Sequence, residues 1–169
     1  MPITRLNHAV LFVGDAQRSA DFYADVLGFR RLRMGPDHMT GAVFMQAPGS
    51  TNDHDLGLFS IGTGAGPSAA GRATVGLYHL AWEVDTLDEL ERLEGVLRAK
   101  GALVGASDHG TTKSLYARDP DGLEFEVTWI IPAGLLDDEA RDAAKGIRPL
   151  DIARDKQRYG AATVGSLQH

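Results

Sequence analysis

The sequence predicts an α+β fold in which one βαβββ unit is written twice, the two units curving into one barrel-like domain. Three observations carry this reading. His8–Asp15 (HAVLFVGD) and His79–Thr86 (HLAWEVDT) are both apolar strands that begin with His and end in a helix-capping residue, 71 residues apart (8 to 79). Ala47-Pro48-Gly49-Ser50 stands in the first unit where Asp119-Pro120-Asp121-Gly122 stands in the second. Twenty glycines in 169 residues suit short elements joined by many turns, not a helical bundle.

The elements follow in order. After the first strand, Asp15 starts a helix over about 16–27 and Gly28 stops it, with Phe22/Val26 and Tyr23/Leu27 four apart on its apolar side. Strands are expected at about 29–34, 42–47 and 54–61. A Gly/Ala-rich linker covers 62–75. The second unit opens with a strand over 77–84. Thr86 and Glu89 read as a capping box for a helix over 87–100, with Leu87, Leu90, Leu93 and Leu97 on one face and Gly101 as the stop. Strands follow at about 102–107, 113–118 and 123–131. The domain is thus expected over 1–131, as modules 3–61 and 76–131. A tail, 132–169, is expected to hold one short polar helix over 135–145 and to be charged and irregular elsewhere. It is expected to wrap the surface or contact a second subunit, with a lid over a site as the alternative.

Composition excludes several classes. There is no cysteine, hence no disulfide, thiolate metal site or cysteine nucleophile. Asp and Glu outnumber Lys and Arg 23 to 17, and no basic cluster offers a nucleic-acid footprint. No run of about 18 apolar residues suggests a membrane span. The start lacks a signal-peptide pattern, so a cytoplasmic location is expected.

Strand alternation then points to a site. In 77–84, Tyr78, Leu80, Trp82 and Val84 form the more apolar face, so His79 points the other way, into the barrel. His8 shares its face with Leu6, Val10 and Phe12. In the last strand Glu124, Glu126 and Thr128 share the face opposite Leu123, Phe125 and Val127. Two inward carboxylates are costly without a cation. His8 and His79 occupy equivalent positions, as do His54 (46 beyond His8) and Glu126 (47 beyond His79). His8, His79 and Glu126 therefore make a two-His, one-carboxylate set, an arrangement suited to Fe(II) and open to other divalent ions. Met34, Met39, Phe44, Met45 and Leu58 are expected in the core, with an apolar aromatic pocket as the alternative. His38 and His169 match no pattern and are expected at the surface.

NHAVLFVGDAQRSADFYADVLGF and GLYHLAWEVDTLDEL resemble the vicinal oxygen chelate superfamily, which holds glyoxalase I, fosfomycin-resistance proteins, bleomycin-binding proteins and type I extradiol dioxygenases. Residues 108–126 (DHGTTKSLYARDPDGLEFE) look like the extradiol signature: His109, then Leu115-Tyr116, Asp119-Pro120-x-Gly122 and Glu126. Ser107 departs from the residues usual two places before that His. HDLGLF at 54–59 resembles the strand carrying that family's acid–base His. The likeness spans about residues 4–131.

The resemblance implies a single-domain extradiol ring-cleaving dioxygenase. Fe(II), with Mn(II) as a second possibility, would sit on His8, His79 and Glu126. His54 would exchange protons, and His109 and Tyr116 would contact a catechol's oxygens, giving a muconic semialdehyde-type product from the diol and O2. Glu124 is not implied as a ligand. Family habit implies a homo-oligomer, a dimer or larger. Two alternatives stand beside it: a glyoxalase-like isomerase or transferase, commonly with another carboxylate ligand in the first half, and a metal-free module for an aromatic ligand.

Overall fold

A computed structural model describes residues 2, 3, 5–35, 40–71 and 73–165. His38, Met39 and His169 lie outside the described residues. The chain divides into two compact units, Met1–Ala69 with Asp119–Gly122, and Ala70–Arg118 with Leu123–His169.

In the first unit, β1 (Ala9–Val13) runs into α1 (Ala16–Leu27) through Asp15, whose carboxylate accepts the Gln17 and Arg18 N–H groups. Gly28, at φ 71°, closes the helix by donating its N–H to the Ala24 carbonyl. β2 (Arg30–Leu32), β3 (Ala42–Gln46) and β4 (Leu56–Ser60) complete a four-stranded sheet in the order β1-β4-β3-β2, with β1 and β4 parallel. Ala16, Ser19, Ala20, Tyr23 and Val26 of α1 are buried. Phe22 and Leu27 are only half-buried, so the buried stripe runs through Tyr23 and Val26. Met45, Leu56 and Leu58 are fully buried, as core packing requires, whereas Met34 is exposed.

The second unit repeats the plan. β5 (His79–Glu83), α2 (Leu87–Ala99), β6 (Leu103–Asp108), β7 (Thr112–Arg118) and β8 (Glu124–Ile130) give a sheet in the order β5-β8-β7-β6, with β5 and β8 parallel. Leu87, Leu90, Leu93 and Leu97 are buried. Only half of the expected capping box forms. The Thr86 hydroxyl accepts the Glu89 N–H at 3.2 Å, but Arg92 takes the Glu89 carboxylate at 2.7 and 2.5 Å.

Each module forms its own four-stranded sheet, as the doubled plan expects. Two expectations need correction. β5 begins at His79, leaving Leu77 and Tyr78 exposed. The tail is not irregular beyond one helix. After a 3-10 turn at Ala133–Leu135 it carries α3 (Asp138–Ala143) and α4 (Ile152–Tyr159). Ile152, Asp155 and Tyr159 bury one face of α4, and the Asp151 carboxylate accepts the Arg154 N–H at 3.0 Å to cap it. No helix among the described residues is long and apolar enough to cross a membrane.

Candidate functional site

In the first unit the parallel β1–β4 ladder brings two histidines side by side. Ala9 pairs with Leu56 and donates its N–H to the Asp55 carbonyl at 3.0 Å, so the residues just ahead of each strand are neighbours. The His8 and His54 rings are 4.2 Å apart and inclined by 31°. Phe44 meets the His54 ring edge-on at 5.3 Å. His8 Nδ1 lies 2.8 Å from the Asn7 side-chain oxygen. His54 is 7% exposed, and its Nδ1 lies 3.2 Å from the Asp53 carboxylate, close enough for an ion pair but off hydrogen-bond geometry. The His54 N–H, followed by its ring, holds the Asp53 carboxyl below the usual carboxylate range. The buried Asp55 is committed elsewhere. It accepts from the Ala47 N–H at 2.8 Å, and from the Ser50 hydroxyl and the Asn52 amide at 2.7 Å each.

In the second unit four expected residues converge. His79 opens β5, and Glu126 of β8 sits opposite Ala81. His79 Nε2 and Glu126 Oε2 are 3.1 Å apart, while His79 Nδ1 is buried with no hydrogen-bond partner. Tyr116 lies across β7–β8 from Glu126, and its ring is 5.7 Å from that of His79. Its hydroxyl shares a 2.8 Å hydrogen bond with His109 Nε2. Burial, then the negative charge of Glu126, raises the Tyr116 pKa above its ordinary value of 10.0, so the hydroxyl keeps its proton at neutral pH. Glu124 faces Arg118 at 3.5 Å, a partner of its own.

The donor chemistry fits a divalent ion at His79 and Glu126. Two ligands bound at about 2.1 Å and at right angles stand about 3 Å apart, close to the separation of Nε2 and Oε2. Among the described residues no three His, Asp or Glu side chains are gathered as a metal site. The expected ligand set thus occurs as the His79–Glu126 pair in one unit and His8, beside His54, in the other.

The Asp-Pro-x-Gly turn of the signature, Asp119–Gly122, belongs structurally to the first unit. Asp121 accepts from the Gly14 N–H and the Ser19 hydroxyl, each at 3.2 Å, and pairs with Arg18. Asp119 accepts from the Tyr23 hydroxyl at 3.3 Å and from the Asp121 N–H at 2.9 Å. In the sequence this clasp has a single signal, a pair of acids in a turn, which occurs in many turns.

The Glyoxalase/Bleomycin resistance protein/Dioxygenase superfamily model matches residues 5–127. The chain belongs to this superfamily. A lactoylglutathione lyase of Neisseria meningitidis is 32% identical over 136 residues, covering 72% of this chain and 88% of the relative. A biphenyl-2,3-diol 1,2-dioxygenase of Rhodococcus globerulus is 35% identical over 124 residues, covering 73% of this chain and 62% of the relative. Among solved structures, a glyoxylase/bleomycin resistance protein/dioxygenase domain from Frankia sp. EAN1pec aligns with a TM-score of 0.64 at 23% identity, over 78% of this chain and 96% of that one. The last likeness concerns the fold alone. Superfamily membership accounts for the doubled βαβββ plan. The two named relatives carry different activities, so membership does not choose between them.

Proposed function

We propose that this superfamily member is a metal-dependent dioxygenase that opens a catechol-type aromatic diol outside the two hydroxyls, using O2. The observation that carries the reading is the 2.8 Å bond between His109 and Tyr116, with the Tyr116 ring beside His79. Such a pair suits the oxygens of an aromatic diol and has no evident use in an isomerase. His79, Glu126 and His8 would hold Fe(II), and Mn(II) accepts the same donors. The bound ion would supply the place where diol and dioxygen meet. Tyr116 would donate its hydroxyl proton in a hydrogen bond to one diol oxygen, and His109 would hold the other end of the substrate. His54, beside His8 in the first unit, would take a diol proton and later return it.

A glyoxalase-like activity is the second reading. The lactoylglutathione lyase likeness favours it, since it covers more of the relative's length than the dioxygenase likeness does. Against it stands the first half. His54 occupies the neighbourhood of the carboxylate ligand common in those enzymes, and Asp55 is bound into its own loop.

Anaerobic loading with Fe(II), followed by air-saturated catechol or 2,3-dihydroxybiphenyl, tests the choice by O2 uptake and visible absorbance. O2 consumption with a yellow product, lost in His54→Ala, supports ring cleavage. Metal binding without O2 uptake, together with formation of lactoylglutathione from glutathione and methylglyoxal, overturns it in favour of the second reading.

A further inference from the structure

His109 lies in a three-residue turn between β6 and β7. Hairpin tips of this kind are ordinarily mobile and solvated. Within the turn, the His109 N–H bonds the Thr112 carbonyl at 3.0 Å, and the Gly110 N–H bonds the Asp108 carboxylate at 2.7 Å. Just past β8, the Ile131 N–H bonds the Thr111 carbonyl at 3.0 Å. Further restraint comes from the C-terminal tail, beyond the residues that the superfamily model matches.

The tail meets the turn in three places. Gly110, at φ 79°, lies flat against the end of α3. A Cβ there would strike the Ala144 nitrogen and the Ala140 carbonyl oxygen, and stand 2.8 Å from the Ala143 carbonyl carbon. Asp108 and Arg148 exchange both backbone hydrogen bonds, at 2.8 and 2.9 Å, as a one-residue antiparallel bridge. Lys113, 2% exposed, pairs with the Asp108 carboxylate, and its Nζ lies 3.6 Å from Asp155 of α4 and 3.4 Å from the Gly110 carbonyl.

The tail is itself anchored. The Trp129 indole N–H donates to the Thr163 carbonyl at 3.2 Å, the Gly165 N–H to the Asp85 carbonyl at 2.7 Å and the Asp88 N–H to the Ala161 carbonyl at 3.1 Å. Lys156 pairs with Asp88 and Glu91, each at 2.7 Å. A segment that only covered surface would need apolar contact alone. Here a buried lysine is shared between two carboxylates: replacing all three by apolar residues would cost little stability, but removing the lysine alone leaves both carboxylates without their cation.

We propose that the C-terminal tail is a positioning element for His109, with Lys113 and Asp155 as positioning residues that hold the 108–112 turn where the His109 ring meets the Tyr116 hydroxyl. Its catalytic meaning rests on the ring-cleaving reading, but the geometry does not. A truncated tail would leave the sheet its ladder and free the turn.

The test uses the full chain without metal or substrate. Long-range 1H–15N spectra of the histidine rings, with His109 assigned by His109→Gln, compare wild type, Lys113→Met, Asp155→Asn and Leu97→Ala. Leu97→Ala loosens the α2 core and reports general destabilisation. The His109 ring signals are expected to shift and broaden in Lys113→Met, to shift less in Asp155→Asn, which keeps the Asp108 pair, and to stay in place in Leu97→Ala. Amide exchange at 110–112 is expected to rise about tenfold or more in Lys113→Met, the ratio for a loss of about 1.4 kcal/mol. If Lys113→Met does not fold, Asp155→Asn carries the test. His109 signals that superimpose on wild type in every folded tail variant, or that move equally in Leu97→Ala, overturn the proposal. Failure of the O2-uptake assay alone would sink the ring-cleaving reading and leave this spectrum to stand.

Discussion

Asp121→Ala should unfasten the Asp119–Gly122 turn from α1. Its magnitude follows from the three partners that the carboxylate holds. The Arg18 pair is half-exposed on the arginine side, so it contributes about 0–1 kcal/mol. Ser19 is fully buried, and an unsatisfied buried hydroxyl costs about 1–3 kcal/mol. The Gly14 N–H is only part-buried, and breaking its bond costs about 0.5–1.5 kcal/mol. Together the effect is about 1.5–5.5 kcal/mol, equivalent to roughly 3–22 °C in Tm for a chain of this size. Asp121→Asn keeps an acceptor oxygen and should recover at least half of it. Urea unfolding of wild type and both variants measures the two differences. An Asp121→Ala chain within about 0.5 kcal/mol of wild type would refute the clasp, as would an Asn variant no better than Ala.

Two further predictions concern charge. Glu126→Gln should weaken Fe(II) or Mn(II) binding by more than about tenfold, because it removes the anionic donor beside His79 Nε2; equilibrium dialysis with metal analysis reads it, and unchanged affinity would remove Glu126 from the ligand set. The Asp155 carboxyl is raised above 3.8, because burial outweighs the attraction of Lys113 and Asp108 adds repulsion. The native chain therefore holds this proton more firmly than the unfolded chain. Its contribution favours folding at low pH and is lost as pH climbs from about 3.8 through the raised value. Asp155→Asn removes that slope, so its stability relative to wild type should improve between about pH 4 and pH 7; a difference that is flat, or that runs the other way, would contradict the burial cost.

Much of the candidate site was legible because strands impose a period of two. The doubled unit puts His8 and His79 at like positions, but the expected match of His54 with Glu126 does not follow from the registers: Glu126 stands opposite Ala81, two beyond His79, while Gly57 stands opposite Val10, two beyond His8. The tail escapes a sequence reading for a local reason. The buried face of α4 holds Asp155 between Ile152 and Tyr159, and an acid in an apolar slot hides a helical period. Its partner, Lys113, lies 42 positions earlier, among alternating strand residues, where a lysine looks like an ordinary outward side chain.

Spacing along the chain sets the doubled βαβββ plan, the N-cap residues of both long helices, the leucine face of α2 and the family. Each depends on neighbours within a turn or a strand, where spacing dictates which side chains share a face. Folding of the whole chain sets which strands join each sheet and that Asp121 clasps α1. It also decided that a buried lysine joins the His109 turn to the tail. Those outcomes depend on which distant charges and donors come within about 3 Å of one another, and hydrogen bonds and ion pairs are selective at that range while sequence spacing is blind to it.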